Sequence, residues 1–291
     1  MLNKLILSIG RSSVLHASAL LLASSSVYAF DSTQQIGAPL NINEVKLNLL
    51  YKNDFSGKDV LDFESNMVKG DKRSRTPNPA AQWIVEGWGG AAVCQGKLWV
   101  SPVPFKSCGQ PIETEVKERS HMVVWHKKSY PSDVLFEFTV NHHSSDAGLT
   151  LVFFATTGKE GQDIFDISLP VRDGVYKKYN RGLAGYTVSY WSRNSWPRAL
   201  KNRERETNRI RTNPQFKIIA SNDSHTDKCD NCDYNVRILK VGGAITVEIN
   251  GKVVNHVIDE SSVHQGGYIG LRNMSGVNKV SYDDFKVWAV K

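Results

Sequence analysis

Residues 158–194 gather Asp163, Asp166, Arg172, Asp173, Tyr176, Tyr179, Tyr186, Tyr190, Trp191 and Arg193 around two β-like runs. Carboxylates, guanidiniums, phenols and an indole in that mixture suit a groove that grips sugars: aromatic faces stack on the rings, while Arg or Asn holds hydroxyls and acid groups. Retaining glycoside hydrolysis needs two carboxylates close together, one ionised and one protonated. Asp163 and Asp166 do not share a strand face, and Glu113 and Glu115 lie in a polar segment with no aromatic platform. β-Elimination of a uronate polymer needs a group that neutralises the carboxylate, a base for the C5 proton and an acid for the leaving oxygen. Arg172, Arg193, Arg211, Arg272 and Asn213 are candidates for the first role, Tyr179, Tyr186 and Tyr190 for the phenol, and His121, His142 and His143 for the base. Binding without catalysis draws on the same aromatic and guanidinium residues but needs no proton carrier.

From these candidates we take His143, Tyr186, Tyr190 and Arg193 as the catalytic set. His121, Trp125, Asp163, Asp166, Arg172, Tyr179, Arg211, Asn213 and Arg272 are the substrate-binding set. Lyase chemistry on an acidic polysaccharide or oligosaccharide is the favoured reading. A lectin-like module and a glycoside hydrolase are the alternatives.

The elements that must carry these residues read almost entirely as strands. Residues 135–140 alternate, with Phe136, Phe138 and Val140 on one face, and 149–155 is an apolar run of buried-strand length. Further strands are expected at 186–191, 216–220, 234–241, 244–249, 268–274 and 280–290. Gly242-Gly243 and Asn250-Gly251 signal consecutive antiparallel hairpins. The helix candidate is the basic segment 199–210, which lacks an apolar stripe. Many strands with Gly-rich turns predict an all-β, two-sheet antiparallel jelly-roll sandwich. Its concave sheet should carry some of Tyr186, Tyr190, Arg193 and Arg272, with loops holding Asp163, Asp166, Arg172, Tyr179, Arg211 and Asn213 at the rim.

The N-terminus reads as a signal peptide over 1–29: Lys4 and Arg11 lead, an apolar run follows, and Val27-Tyr28-Ala29 is a small-residue cleavage site. Those two cations are its only charges, so cleavage lowers the formal charge from +7 to +5. An extended segment, 30–46, and one domain, 47–291, should follow. The expected destination is periplasmic or secreted, with no membrane insertion. Export makes disulfides the default for Cys94 with Cys108 and Cys229 with Cys232. Charge clusters at 193–217, where Arg193, Arg198, Lys201, Arg203, Arg205, Arg209, Arg211 and Lys217 face only Glu204 and Glu206. In an exported chain that pattern suits an acidic glycan rather than nucleic acid. No cofactor is required and no metal ligand is assigned. A structural calcium is left open, since it would need about six oxygens that no motif here assembles.

The C-terminal pattern Gly267-Tyr-Ile-Gly-Leu-Arg272 with Val280-Ser-Tyr-Asp-Asp-Phe-Lys-Val-Trp288 resembles the closing strands of concanavalin A-like lectin/glucanase domains. A closer resemblance runs through Gln82-Trp-Ile-Val-Glu-Gly87, His121-Met-Val-Val-Trp125, Asp163-Ile-Phe-Asp166, Arg172-Asp-Gly-Val-Tyr176, Tyr186-Thr-Val-Ser-Tyr190, Ile210-Arg-Thr-Asn-Pro214 and Gly270-Leu-Arg-Asn-Met274. In that order these motifs resemble the YesU-like bacterial family, a concanavalin A-like jelly roll of unknown function whose members are often encoded among pectin or rhamnogalacturonan degradation genes. The resemblance covers most of the mature chain and implies a carbohydrate context without naming a substrate. The chain departs from the pattern at Thr212, where a basic residue is expected, and in the long basic segment before Arg211.

Overall fold

The computed structural model describes residues 38–57, 82–87, 89–111, 121–143, 148–193, 208–222, 231–261, 263–274 and 279–291. The signal-peptide expectation, 1–29, therefore lies outside the described residues. The strands run β1 (Leu47–Asn53), β2 (Trp83–Gly87), β3 (Gly90–Cys94), β4 (Lys97–Ser101), β5 (Phe105–Ser107), β6 (Gln110–Pro111), β7 (His121–His126), β8 (Val134–His142) and β9 (Gly148–Gly158). A helix, α1 (Tyr176–Gly182), precedes β10 (Leu183–Arg193), β11 (Asn208–Asn213), β12 (Lys217–Asn222), β13 (Asp233–Val241), β14 (Ala244–Ile249), β15 (Lys252–Ile258), β16 (Tyr268–Met274) and β17 (Val280–Val290).

Two large antiparallel sheets form the sandwich that the alternation predicts. The first has the order β15-β14-β13-β8-β17-β4-β3 with β1 added along β17, and the second has the order β12-β11-β10-β9-β16-β7-β2. The two hairpins expected at Gly242-Gly243 and Asn250-Gly251 join β13 to β14 and β14 to β15. Asn250 and Gly251 both take positive φ, 50° and 75°. That is the two-residue turn whose twist matches the flanking strands.

Side chains alternate across each strand, so one face of every strand is committed to the space between the sheets. Phe136, Phe138 and Val140 of β8 meet Val152 and Phe154 of β9, Tyr186, Val188 and Tyr190 of β10, and Ile269 and Leu271 of β16 in one buried cluster. Phe138 sits at its centre, edge-on to Tyr190 and Tyr282 and stacked on Phe285. Polar groups that enter this space are paired there. The Tyr186 hydroxyl donates to Asp259 Oδ2 at 2.9 Å, Tyr190 and Tyr282 share a 3.0 Å bond, and His142 Nε2 lies 3.0 Å from Thr150 Oγ1.

Two features differ from the sequence reading. The helix is α1, between β9 and β10, and is not placed within the described part of 199–210: residues 208–210 start β11, and 199–207 lie outside the described residues. Residues 38–46 are not simply extended, because Asn41 caps a 3₁₀ turn at Ile42–Glu44. That turn buries Ile42 against Leu135 and Leu239 on the outer face of the first sheet. The Cys94–Cys108 disulfide forms. Cys232 is also disulfide-bonded, while Cys229 lies outside the described residues. Among the described residues, no helix is long and apolar enough to cross a membrane.

Phe138→Ala should lower the free energy of unfolding by about 3–5 kcal/mol, since the lost ring leaves a void the sheets cannot close. Urea denaturation of the purified domain measures it.

Candidate functional site

The second sheet has a chemically different outer face. Core positions on β7, β10, β11 and β16 are Met122 and Val124, Tyr186, Val188 and Tyr190, Ile210, and Ile269 and Leu271. Alternation therefore sends His121, Val123 and Trp125, Thr187 and Ser189, Arg211 and Asn213, and Arg272 to the other side. Residues 159–182, including α1, lie over part of this face. Ile164, Leu169 and Tyr179 pack there against Ile84, Trp125 and Phe153.

A buried clamp holds that covering segment down. Arg172 donates from Nη2 to Glu86 Oε1 at 2.7 Å and from Nε to Glu86 Oε2 at 3.2 Å. The indole of Trp125 donates to the same Oε2 at 2.9 Å, and Arg172 Nη2 also reaches the Ile164 carbonyl at 2.6 Å. Burial works against the Arg172 charge, but Glu86 more than offsets it, and the guanidinium pKa ends up raised. Gly174, at φ 88°, lets the chain come down onto β7, where any side chain would strike the His121 carbonyl. Its amide donates to the Tyr179 hydroxyl at 3.0 Å, and its carbonyl accepts from Arg272 Nη2 at 3.0 Å.

The clamp delivers Tyr176 to the middle of a cationic cluster. Its hydroxyl lies 2.9 Å from Thr187 Oγ1, and Asn213 acts on it to lower its pKa. Its ring stacks on Phe153 at 5.9 Å and lies 5.0 Å from the Arg272 guanidinium carbon. Arg211 reaches in from β11, its Nη1 3.5 Å from Ser189 Oγ. Arg272 is 1% exposed and Arg211 9% exposed. Arg272 Nη1, Arg211 Nε, Asn213 Oδ1 and His121 Nδ1 are buried without a hydrogen-bond partner.

The electrostatics follow from that geometry. Burial lowers the pKa of Arg272 to about 10 and that of Arg211 to about 10, and no carboxylate among the described residues acts to restore either. Both stay charged at neutral pH, so they form a desolvated positive site. His121 is lowered to about 4, first by burial and then by the Arg272 charge, against a smaller pull from Asp173. The imidazole is therefore neutral and able to accept a proton. Burial raises the Tyr176 hydroxyl, with Thr187, Arg211, Arg272 and Asn213 pulling the other way, so the phenol keeps its proton at neutral pH. The nearby carboxylates are engaged: Glu86 with Arg172, and Asp173 with Lys178 at 2.6 Å.

The residues singled out from sequence fall into four groups. His121, Arg211, Asn213 and Arg272 come together around Tyr176. Arg172, Trp125 and Tyr179 share the same face but serve the clamp. Asp163 and Asp166 close turns instead of facing a ligand: Asp163 accepts from the Phe165 amide at 2.8 Å and the Tyr268 hydroxyl at 2.6 Å, and Asp166 accepts from the Ser168 amide at 2.7 Å. The catalytic set is not assembled. Tyr186 and Tyr190 share the Val188 face and point into the core, which corrects their placement on the exposed sheet. His142 points inward as well. His143 lies on the outer face of the first sheet, stacked 4.7 Å from Trp99 and bonded to Ser281 Oγ at 2.8 Å. Arg193 ends β10, but its side chain lies outside the described residues. The Thr212 departure does not reach the site, because Thr212 faces inward and bonds His264 at 2.8 Å.

The sequence names Tyr176 within the aromatic and charged stretch but assigns it no role, and it assigns none to Glu86. The available signal was the count of arginines to be buried on one face against the acids able to pair with them. Among the described residues, no group of three or more His, Cys, Asp or Glu side chains could hold a metal ion.

Residues 67–287 match a family described as a domain of unknown function, DUF1961. An uncharacterized protein YesU of Bacillus subtilis strain 168 is 26% identical over 220 residues, spanning 73% of this chain and 91% of that protein. A crystal structure of a Bacillus subtilis protein of unknown function with a galectin-like fold superposes with a TM-score of 0.63 at 24% identity, covering 85% of this chain and 100% of that one. The lumenal domain of VIP36, bound to Ca2+ and Man3GlcNAc, is similar at a TM-score of 0.49 and 12% identity over 83% of this chain and 91% of that one. At 24% identity the first of these structural likenesses establishes the fold and nothing finer.

Stability reports directly on the clamp. Glu86→Leu leaves the Arg172 charge buried and unpaired, and should cost about 3–5 kcal/mol in chemical denaturation. Adding Arg172→Met to that variant should recover most of the loss, because it removes the stranded charge.

Proposed function

This chain belongs to the DUF1961 family, and we propose that it is an exported protein that acts on an acidic, uronate-containing polysaccharide by β-elimination. One observation carries the reading. Among the described residues, Arg211 and Arg272 are buried charges with no acidic partner, and they flank a protonated phenol and a neutral imidazole. Uncompensated buried cations are costly unless an anion arrives to share the site. A sugar carboxylate is such an anion, and the sandwich fold and basic charge balance fit a glycan.

In the proposed reaction the uronate carboxylate docks at Arg211, with Arg272 and Asn213 adding positive potential and hydrogen bonds. Their field stabilises the negative charge that spreads onto the carboxylate as the C5 proton leaves. His121 takes that proton at its unpartnered Nδ1. The electron pair forms the C4–C5 double bond, the C4–O bond breaks, and the Tyr176 hydroxyl gives its proton to the departing oxygen. The products are a chain with an unsaturated uronate end and a chain with a free hydroxyl. Proton return from His121 to Tyr176, through solvent, resets the site.

Hydrolysis is a poorer fit, because Glu86 and Asp173 are held by Arg172 and Lys178. Carbohydrate binding without turnover uses the same guanidiniums and is the competing reading.

Incubation with pectin, rhamnogalacturonan, alginate, ulvan and glycosaminoglycans, followed by ultraviolet absorbance, tests the reaction. A rise from unsaturated uronate ends supports it. A flat trace with retained binding assigns a lectin, and a flat trace without binding removes the uronate reading. Tyr176→Phe should slow turnover by about 10²- to 10⁴-fold while polymer is still bound. Because His121 is lowered from 6.5 to about 4, activity should persist as pH drops through the usual histidine range. It should fall only as pH approaches about 4, where the base becomes protonated. A kcat/KM profile against pH measures this.

A further inference from the structure

Phe216 is an aromatic residue in an expensive place. It stands in the turn that joins β11 to β12, with φ at 57°. Non-glycine residues are uncommon in that region, and Gly or Asn satisfies such a turn with less strain. Its side chain does not repay this by burial, for the residue is 43% exposed. Its contacts are specific. The ring lies 4.8 Å from that of Tyr176, at 57°, and 4.9 Å from the Arg211 guanidinium carbon. Both partners belong to the cationic site, so the exposed ring extends that site outward along the β11–β12 edge.

We propose that Phe216 is a stacking platform for a sugar ring next to the one whose carboxylate meets Arg211, so that the site takes at least two linked sugar units rather than a free monosaccharide. The inference rests on the uronate reading given above. The chemistry of a uronate chain matches this corner. A pyranose presents an apolar C–H face that suits an aromatic plane, while its neighbour's carboxylate projects from the ring edge toward a cation. Arg211, with one side against Phe216 and its Nη1 toward Ser189, is the cation at that junction. An additional stacked ring supplies binding energy at a distance from the reacting bond, and that energy can position the scissile link.

Calorimetric titration of the wild-type protein, Phe216→Leu, Phe216→Ala and Arg211→Gln tests the proposal. The probes are tetrasaccharides of galacturonate, glucuronate, mannuronate and guluronate, with the matching monosaccharides as competitors. Both Phe216 variants should weaken tetrasaccharide binding by about five- to tenfold and leave monosaccharide competition within about twofold. Phe216→Trp should restore the tetrasaccharide affinity. Arg211→Gln should weaken monosaccharide and tetrasaccharide alike. Equal losses for both ligand sizes in the Phe216 variants, or no loss for either, overturn the platform while the uronate site stands. Leu retains apolar bulk in the turn, so it separates loss of the aromatic face from loss of folding. If the wild-type protein binds none of these probes, or Arg211→Gln leaves binding unchanged, the uronate site fails and the platform fails with it.

Discussion

Glu86 is the carboxylate that Arg172 consumes, and the outer face of the second sheet takes its character from that pairing. A buried guanidinium is tolerable when two donors meet two carboxylate oxygens, as they do here at 2.7 and 3.2 Å. The pair pins residues 159–182 over the sheet and, through Gly174, sets Tyr176 above Arg272. It also removes Glu86 from the local charge balance. Arg172, Arg211 and Arg272 are all buried on this face. The first has its pKa raised by its acid, and the other two are lowered by burial. The same side chain type thus acts as a fastener where a carboxylate is within reach, and elsewhere on the face remains a buried cation with no acid among the described residues.

The two faces of the second sheet divide stability from chemistry. Tyr186 and Tyr190 have polar tips, yet their hydroxyls are satisfied within the sandwich by Asp259 and Tyr282. Each lies in the space between the sheets, where a phenol serves as a large apolar ring with one bonded atom. One residue along the strand, Thr187 and Ser189 turn outward to meet Tyr176 and Arg211. Small side chains at these positions leave room on the outer face for the guanidiniums and the phenol. A one-residue slip in register would exchange the two sets and abolish both the core and the site.

Much of the architecture was legible in the chain. Alternation at Phe136, Phe138 and Val140 placed β8, and Asn250-Gly251 placed a hairpin. The motif spacings marked a likeness to a family that the match over 67–287 bears out. The opposite orientations of Ile269 and Arg272 on β16 also followed from local periodicity. Harder to read was which of many Tyr, Arg and His residues share a neighbourhood. Tyr176 arrives from α1, Arg211 from β11, Arg272 from β16 and His121 from β7, and their meeting depends on the strand order β11-β10-β9-β16-β7.

By itself the sequence determined the fold class, the strands that carry the core and the stock of guanidiniums, phenols and imidazoles available for an acidic ligand. Those properties are set by side-chain type and period-two spacing, which are local. Only the tertiary structure decided that Tyr186, Tyr190 and His142 are core groups, that His143 stands on the opposite sheet, and that Glu86 answers Arg172 while Arg211 and Arg272 meet no acid among the described residues. The physical reason is that charge compensation depends on distance in space. Glu86 and Arg172 are 86 residues apart in the chain and 2.7 Å apart in the fold.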